Sequence, residues 1–459
     1  MKKCITIILL VFWCLMLFSG CGPKQAEVTE PSEPVTTEST GPEETAPEEI
    51  ATLDIYYLAD DTCSHYMVNS FNYFMDDVTV NATAFASIEE MDPRIAAEVN
   101  ANKGPDVIVF PRSTTLDTTK MAMNGNFLDL SGLLANDETF DAKNYYSLLD
   151  AGNIGGKQLM MPLRFRLPFY ETSQERLATA KIDLSENYTA SQLMAAFQTH
   201  AASAGEDIST LMYNIESSMG AFIYDPMRLS GVEIVDLEKQ ALTVSDDVFL
   251  EYAEYARLMY SEVPKIRNFF KTYGPAFTDG WTHLTSVCGD QQFPLYLRVE
   301  EAYYRVAVNE TIQILHMPNY EDPASLMADI SVYAAVLENT DDAQTAYRFI
   351  RYAMDCILGD IQNDLPISRA QVSAHLDDLS WNRGKTFQLP TCSVSVPAMS
   401  AELRQLCEQT FDRITSGSIR SDVIDDIFTE TMEPYIVGEA EFEECYTKFK
   451  NQMNLYLYE

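Results

Sequence analysis

Short apolar runs rich in β-forming residues alternate with longer amphipathic runs after residue 50, and this alternation constrains the fold more than any other feature. The strand-like runs span residues 53–58, 78–85 and 106–110, and the helix-like runs span residues 64–75 and 88–100. This order predicts a parallel sheet with crossover helices. Ligands of such sheets bind beyond the carboxyl ends of the strands, so the loops there are the first candidates for a site.

The N-terminus has the pattern of an export signal. Lys2 and Lys3 precede an almost wholly apolar run over residues 5–18, which is too short to span a bilayer comfortably but has the length of a signal-peptide core. Small residues before a cysteine let a peptidase approach the backbone, and the run Leu-Phe-Ser-Gly before Cys21 resembles a bacterial lipobox. The resemblance implies cleavage after Gly20 and lipidation of Cys21. An ordinary secreted protein cut near this point is the alternative.

The segment that follows is low in complexity and acidic. Residues 22–50 consist mostly of Glu, Thr, Pro and Ser, so they cannot bury enough apolar surface to offset the entropy lost on ordering. We therefore expect a signal peptide over residues 1–20 and a lipidated cysteine with a disordered tether over residues 21–50. The chain has 69 acidic and 31 basic residues and a net charge of −38, which disfavours nucleic acids as partners.

Sequence motifs for catalysis and for metal binding are absent. The five histidines are scattered, and the sequence has no His-Glu-x-x-His, Gly-x-Ser-x-Gly, Gly-x-x-x-x-Gly-Lys or Gly-x-Gly-x-x-Gly stretch. Among 69 acids a carboxylate pair can be drawn almost anywhere, so no pair indicates a glycosidase. Asp60 with Asp61, and Asp425 with Asp426, are more typical of solvated acids. We predict no enzyme activity, no catalytic residue, no metal and no cofactor.

Six cysteines remain outside the signal and Cys21, at irregular spacings and without a Cys-x-x-Cys pair. They are Cys63, Cys288, Cys356, Cys392, Cys407 and Cys445. An extracellular compartment permits disulfides, but buried free thiols fit these spacings equally well. Cys392 with Cys407, or Cys407 with Cys445, are the local pairs to test, and the sequence leaves the connectivity open.

A series of short motifs extends from the third strand-like run to the end of the chain. The motifs are Gly-Pro-Asp-Val-Ile at 104–108, Asn-Gly-Asn-Phe-Leu-Asp-Leu-Ser at 124–131, Gly-Lys-Gln-Leu-Met-Met-Pro at 156–162, the apolar run 330–337, Asn-Thr-Asp-Asp-Ala at 339–343, Ala-Tyr-Arg-Phe-Ile at 346–350, Leu-Pro-Ile-Ser-Arg at 365–369 and the C-terminal run 427–457. Each motif alone is weak, but their order is specific. The series resembles the extracellular solute-binding proteins of ABC importers, family 1, the maltose-binding-like class.

This resemblance implies an α/β, two-lobe periplasmic-binding-protein-like fold of type II, with a hinge and an interlobe cleft. Lobe 1 would comprise residues 51–165 and about 331–370, and lobe 2 residues 166–330 and about 371–459 with the C-terminal helices. The chain would cross between the lobes near residues 164–170 and return near residues 329–335. In the family, closure of the lobes buries the ligand, and a membrane permease recognises the closed form.

Candidate ligand contacts follow the first and third strands. Asp60 and Asp61 come after the first strand, where carboxylates could accept hydrogen bonds from paired sugar hydroxyls, although acids that cap a helix fit this position at least as well. Phe110, Arg112 and Ser113 come at the end of the third strand, where the family often carries an aromatic residue and polar cleft residues.

Further candidates lie at the first crossing and in the second lobe. Arg164 and Arg166 offer fork-like donors, and a pair of interlobe salt bridges is their alternative role. Sugar binding also favours a flat aromatic platform, for which Trp281 in a Gly-containing loop is the preferred candidate. Tyr170 and Tyr224 are weaker candidates of the same kind. A place in the core is the commoner role for such aromatic residues.

Three functions remain open at this stage. The first is a lipid-anchored protein on the outer face of the bacterial cytoplasmic membrane that captures a solute, most plausibly a sugar or oligosaccharide, for an ABC permease. The second is a surface carbohydrate-active enzyme, which would turn its ligand over. The third is a sensing protein on the same fold, which would bind a ligand without a cognate permease. The identity of the ligand and the oligomeric state stay open.

Overall fold

A computed structural model describes most of the chain after residue 49. The described residues are 50–185, 187–203, 212–213, 218–273, 288–292, 301–302, 304–356, 364–377, 386–388, 393–395 and 398–458. The predictions made for Cys21, the tether, Trp281 and Cys392 lie outside these residues. None of the helices in the described part is long and apolar enough to cross a membrane.

Strands and helices alternate along most of the described chain. The strands are β1 Ala51–Leu58, β2 Val78–Phe85, β3 Val107–Pro111, β4 Asn153–Ile154, β5 Lys157–Gln158, β6 Met161–Arg166, β7 Pro168–Ser173, β8 Met212–Tyr213, β9 Val235–Asp236, β10 Ala241–Leu242, β11 Cys288–Gln292, β12 Ile312–Leu315, β13 Leu326–Val336, β14 Leu365–Pro366, β15 Thr386–Gln388, β16 Ser393–Ser395 and β17 Ile414–Ile419. The α-helices are α1 Thr62–Phe74, α2 Ile88–Asn100, α3 Thr118–Met123, α4 Ser131–Asn136, α5 Gln174–Ala180, α6 Ala190–Ser203, α7 Ala221–Leu229, α8 Asp246–Tyr273, α9 Ala343–Asp355, α10 Arg369–Asp377, α11 Ala401–Asp412, α12 Asp422–Ile436 and α13 Phe442–Tyr458.

The larger sheet has the order β14-β6-β13-β3-β1-β2, with β17 paired to β13. Strands β1, β2 and β3 are parallel, with α1 and α2 as the connections between them, which confirms the sequence prediction for this part. Strand β13 runs antiparallel to β3 and β6, so the complete sheet is mixed. Strand β13 is buried because it pairs with neighbours along its length, and its residues are accordingly almost all apolar.

A second, four-stranded sheet has the order β12-β7-β11-β8. The described residues form two hydrophobic cores rather than one. The first core contains Phe169 and the second begins with Tyr170, so the chain passes between the cores within β7. It returns between Leu315 in the second core and Leu326 in the first. We call the parts around the first and second cores lobe 1 and lobe 2.

The positions of the later passages differ from the sequence expectation. Residues 329–335 were expected to form the return crossing, but they lie inside β13, which enters the larger sheet at Leu326. The segment from residue 371 onward was expected in lobe 2, but its buried residues up to Ile414 pack in the first core. The cause is long-range pairing, since β17 joins β13. A third passage to lobe 2 therefore comes between Ile414 and Ile424.

Four cysteines whose side chains the structure describes are buried and form no disulfide. They are Cys63, Cys356, Cys407 and Cys445. The suggested pair of Cys407 with Cys445 is wrong, because the first lies in the core of lobe 1 and the second in the core of lobe 2. Burial raises the pKa of the Cys63 and Cys407 thiols to about 12, so both stay protonated at neutral pH.

The close approach of α7 and α12 in lobe 2 depends on Gly220. Its backbone N–H donates to Thr429 Oγ1 at 2.8 Å. A Cβ on Gly220 would lie 2.7 Å from Thr429 Oγ1 and 2.8 Å from Thr429 N, and would also meet the carbonyl oxygen of Asp425. Real side chains do not tolerate such contacts with backbone, so the two helices could not keep this spacing with a larger residue at position 220.

We expect Gly220→Ala to lower the free energy of unfolding by about 1–3 kcal/mol, because the added methyl group overpacks the contact between the helices. Urea denaturation measures this change. Gly132→Ala is the matched control, since nothing lies within 4 Å of the added Cβ and its backbone φ is not positive; its effect should stay within about 0.5 kcal/mol. Equal stability of the two variants would contradict this account of the helix contact.

Candidate functional site

The carboxyl ends of four strands meet at one edge of the larger sheet. Leu58 pairs with Phe85 at the ends of β1 and β2, and Tyr56 pairs with Ile108 of β3. Strand β6 ends at the same edge, because Val332 of β13 is level with both Pro111 and Arg164. This edge brings together five of the predicted site residues, which we call the strand-end residues. They are Asp60, Asp61, Arg112, Ser113 and Arg166.

The two aspartates after β1 have different surroundings. Asp60 is exposed in the turn after the strand. Asp61 is the N-cap of α1, where its carboxylate accepts hydrogen bonds from the backbone N–H groups of Cys63 and Ser64, both at 3.3 Å. Burial raises the pKa of Asp61, while the hydrogen bond from the Ser64 hydroxyl opposes this shift. Asp61 thus has the helix-capping role that the sequence left open, and Asp60 is the carboxylate that faces solvent.

Arg112 joins the two lobes. It follows β3 in lobe 1, and its Nε donates to Asp329 Oδ2 at 2.7 Å. Its Nη2 donates to Asp225 Oδ2 of α7 in lobe 2 at 3.1 Å. Burial acts to lower the pKa of Arg112, but the carboxylates of Asp329 and Asp225 outweigh it and raise the pKa. The next residue, Ser113, is exposed, so this loop borders lobe 2 and still presents a hydroxyl to solvent.

Arg166, at the end of β6, binds a carboxylate of its own lobe. Its Nε and Nη2 donate to the two carboxylate oxygens of Asp364 at 2.5 and 3.3 Å. The charge of Asp364 also contributes to the raised pKa of Asp61, which places Asp61 and Arg166 around one carboxylate. The side chain of Arg166 remains about one-third exposed at 32%. The guanidinium therefore lies at the strand-end edge with donor capacity facing solvent.

A buried set of charged residues lies where the lobes meet, and the sequence analysis missed most of it. We call this set the hinge cluster, and it consists of Arg112, Asp225, Arg228, Asp329, Arg420, Asp422 and Asp425. Arg228 is central, since its Nη2 lies 2.8 Å from Asp225 Oδ1 and 2.8 Å from Asp329 Oδ1. Arg420 lies at the third passage between the lobes, and its Nη2 is 2.6 Å from Asp425 Oδ2. Arg420 also pairs with Asp422.

The hinge cluster holds three guanidinium groups against four carboxylates. Burial acts to raise the pKa of Asp329, but Arg228 and Arg112 outweigh it and hold the pKa below its usual value. Burial raises the pKa of Asp422 and of Asp425, and Arg420 only partly offsets this. Asp329 is therefore held ionised by its ion pairs with Arg112 and Arg228.

The sequence contained one signal for this cluster. Helix α7 is apolar and buried almost throughout, yet it carries Asp225 and Arg228 at a spacing of i and i+3. Charged residues on a buried helix face need partners, so this pair could have been singled out. Asp425 was interpreted as a solvated acid, but it is buried and also accepts from Ser218 Oγ at 2.6 Å.

Arg164 has a structural place that differs from its predicted one. Its side chain is fully buried in lobe 1 and donates to the carbonyl oxygens of Leu163, Ala353 and Cys356 at 2.7, 3.3 and 3.1 Å. The last two carbonyls are at the C-terminal end of α9. A guanidinium placed there satisfies free carbonyl groups and is attracted by the negative end of the helix dipole. Arg164 therefore caps a helix in this structure rather than facing a solute.

Three aromatic candidates also lie in the cores. Phe110 is fully buried and stacks on Tyr333, with ring centroids 5.3 Å apart. The buried Tyr170 shares a hydrogen bond with the hydroxyl of Tyr255. Tyr224 stacks on Phe428 in lobe 2, and its hydroxyl accepts from the backbone N–H of Ser421 at 3.1 Å. Their burial favours packing roles, and the preferred platform, Trp281, lies outside the described residues.

Within the described ranges, no group of His, Cys, Asp and Glu is arranged to hold a metal ion. The strand-end residues can instead supply neutral and charged hydrogen-bond groups to a solute. Asp60 accepts, Arg166 donates, and Ser113 can do either.

We expect Asp329→Asn to lower the free energy of unfolding at pH 7 by about 3–5 kcal/mol, because the change removes one of the two carboxylates that Arg112 and Arg228 share and leaves both guanidinium groups with Asp225 alone. The folded-state pKa of Asp329 is lowered, so its stabilisation is present above the unfolded pKa and is lost as the pH falls through the folded pKa. The difference between wild type and variant should therefore shrink below about pH 4. Urea denaturation at several pH values measures it.

The matched control is Asp77→Asn, which removes the carboxylate of an exposed ion pair with Arg348. Solvent screens such a pair, so we expect a much smaller loss of stability. If the two variants lose the same free energy of unfolding, or if the loss in Asp329→Asn grows on acidification, the buried ion pairs do not have the role described here.

Comparison with known proteins identifies the fold. No protein-family model matches this sequence, and no curated protein matches it either. Among solved structures, an extracellular solute-binding protein of family 1 from Alicyclobacillus acidocaldarius aligns with a TM-score of 0.57 at 13% identity, covering 90% of this chain and 100% of the other. The sugar-binding protein MalE from Xanthomonas citri aligns with a TM-score of 0.59 at 12% identity, covering 89% and 98%.

An ABC substrate-binding protein from Listeria monocytogenes, solved in complex with cycloalternan, aligns with a TM-score of 0.53 at 14% identity, covering 89% of this chain and 99% of the other. At such identities the likeness concerns the fold. It agrees with the two cores, the two larger sheets and the passages between the cores in the described part of the chain. The chain therefore has the two-lobed type II fold of the family 1 extracellular solute-binding proteins, as its motif series predicted.

Proposed function

We propose that this protein captures a sugar or oligosaccharide between its lobes and delivers it to an ABC permease. The observation that carries this proposal is the bond from Arg112 to Asp225, because it shows that the strand-end edge of lobe 1 borders lobe 2. Asp60 and Ser113 are exposed along the same edge. A solute held there would contact loops of lobe 1 and could be covered by lobe 2.

The chemistry of the edge suits a polyhydroxylated solute. A carboxylate at Asp60 can accept from paired hydroxyl groups, and the planar guanidinium of Arg166 can donate to them. The charge of Arg166 is offset by Asp364 and that of Arg112 by Asp329 and Asp225, so the edge offers donors without a free positive charge. This arrangement favours a neutral solute over an anion.

The structural neighbours support capture rather than turnover. Their descriptions include a protein complexed with cycloalternan, a receptor complexed with acarbose and a chitin oligosaccharide binding protein. These are binding proteins, and a binding protein releases its ligand unchanged. We therefore propose the same kind of role here and leave the individual sugar to experiment.

The hinge cluster gives a physical account of how capture could be signalled. In the described part of the chain, three passages join the lobes, and each can absorb a rotation. The ion pairs of Arg112 and Arg228 lie beside these passages and hold the lobes in register. A solute that contacts both lobes would stabilise the closed arrangement by its differential affinity, and the permease would recognise that arrangement.

We also propose that the protein is anchored by a lipid on Cys21 at the outer face of the bacterial cytoplasmic membrane. The apolar core of the signal and the small residues before Cys21 support this proposal. The acidic tether up to residue 50 would then hold the lobes at a distance from the membrane surface and within reach of a permease.

The capture proposal predicts that one class of oligosaccharide raises the melting temperature of the protein without forming a product. At a ligand concentration of 100 times Kd the gain is about 2.7 kcal/mol. Asp60→Ala should weaken binding roughly tenfold or more, since a hydrogen bond to a charged group contributes about 1.5–3 kcal/mol. Titration calorimetry measures the change.

Asp76→Ala is the control, because Asp76 is an exposed acid just before β2, at the opposite edge of the sheet. It should bind as the wild type does. Equal weakening by both variants, a hydrolysed product, or no binding of any saccharide would contradict the proposal.

The anchoring proposal predicts that Cys21→Ser abolishes incorporation of labelled fatty acid and releases the protein from the membrane fraction of a bacterial host. Cys14→Ser, which changes a cysteine within the signal core, should leave labelling and anchoring unchanged. Labelling followed by membrane fractionation reads out both variants. Persistent labelling of Cys21→Ser would show that Cys21 is not the acylated residue.

A further inference from the structure

Lobe 1 carries a groove away from the strand-end edge. Its floor is the outer face of α9, formed by side chains at spacings of three and four residues. These are Gln344, Tyr347, Arg348, Arg351, Tyr352 and Asp355. One wall is the end of α1 with Phe71 and Met75, and the other is the end of α4 with the following residues up to Thr139. None of the strand-end residues or the hinge cluster lines this groove.

The size of the groove suits a small, elongated ligand. Its volume is about 710 Å³, within the range of about 300–1,000 Å³ that is typical of ligand sites. The floor from Gln344 to Asp355 covers eleven residue steps of helix, which is roughly 16 Å at about 1.5 Å per residue.

The polar groups of the floor are held in place before any ligand binds. Asp137 accepts from Tyr347 Oη at 2.9 Å, from Arg351 Nε at 2.9 Å and from the backbone N–H of Thr139 at 2.9 Å. Arg351 Nη1 also donates to the hydroxyl of Tyr145 at 2.6 Å. Hydrogen bonds in several directions fix the guanidinium plane, so a ligand would lose little affinity to ordering these side chains.

The charges of the groove disfavour anionic ligands. Arg348 forms a bidentate ion pair with Asp77, with distances of 2.9 and 3.0 Å, and Arg351 forms an ion pair with Asp137. The guanidinium charges are thereby offset, and the exposed Glu138 adds negative charge that repels anions. Asp355 adds a further carboxylate at the end of the floor, so the groove favours neutral ligands over anions.

The floor of the groove also contains an aromatic ring. Tyr352 is half-buried in the floor and packs edge-on against Phe71, with centroids 5.3 Å apart, so its ring is held rigidly. A fixed aromatic ring beside planar hydrogen-bond groups matches the apolar face and the hydroxyl rim of a sugar ring. We infer that this groove is a second binding site, for a short neutral oligosaccharide, separate from the interlobe site.

The test uses hydrogen–deuterium exchange of the full chain with maltotriose, cellotriose or chitotriose, each titrated into the millimolar range. We expect at least one of them to protect residues 344–355 and 133–139. Arg348→Ala should raise the Kd for this protection at least tenfold, because it removes a donor of the floor while changing only an exposed ion pair. Gln344→Ala is a second variant at an exposed floor position and should weaken protection in the same direction.

Arg94→Ala is the matched control, since Arg94 is an exposed arginine paired with Glu98 outside the groove. It should leave the protection unchanged. Protection of the groove without protection of residues 59–61 and 112–115 would support this site and contradict the proposed interlobe capture. Protection only at those two loops would overturn the second site and support capture. The second site is overturned if none of the three sugars protects the groove. It is also overturned if Arg94→Ala weakens the protection as much as Arg348→Ala does.

Discussion

The structure depends on the ion pairs that Arg228 makes with Asp225 on its own helix and with Asp329 on the central strand of lobe 1. These groups are buried, so each charge loses hydration on folding and must be compensated by its partners. Arg112 adds a second bridge to both aspartates. Because the partners come from different lobes, separating the lobes here would leave charges unpaired in a poorly solvated place.

This constraint explains how two cores can form one working unit. Each lobe has its own sheet and its own apolar cluster, and apolar contact alone would not fix one orientation between them. Charge pairs are directional, so the ion pairs of Arg112, Arg228 and Asp329 fix how the two lobes meet beside the passages. Gly220 contributes by letting α7, which carries Asp225 and Arg228, approach α12 closely.

Local sequence patterns predicted the strands and helices that depend on residues close together in the sequence. The features that these patterns missed depend on contacts between segments far apart in the sequence. The runs that became β1, β2 and β3 have period-2 or wholly apolar patterns, so their parallel arrangement with helical connections was predictable. The pairing of β17 with β13 joins segments about ninety residues apart, and no local pattern encodes it. Likewise Arg164 caps α9, and Asp425 finds Ser218 far away in sequence. Among the strand-end residues, Asp60, Arg112 and Ser113 were predictable because loops after parallel strands share an edge, whereas Arg166 was predicted from the first crossing that the family resemblance implies.

The central claim is that a solute bridges the two lobes and closes them. Small-angle X-ray scattering of the protein, with and without a saturating oligosaccharide that binds in calorimetry, tests it most directly. The account predicts that the radius of gyration decreases on binding and that Asp60→Ala requires more sugar to reach the same decrease. A radius of gyration that stays unchanged at saturation would contradict it.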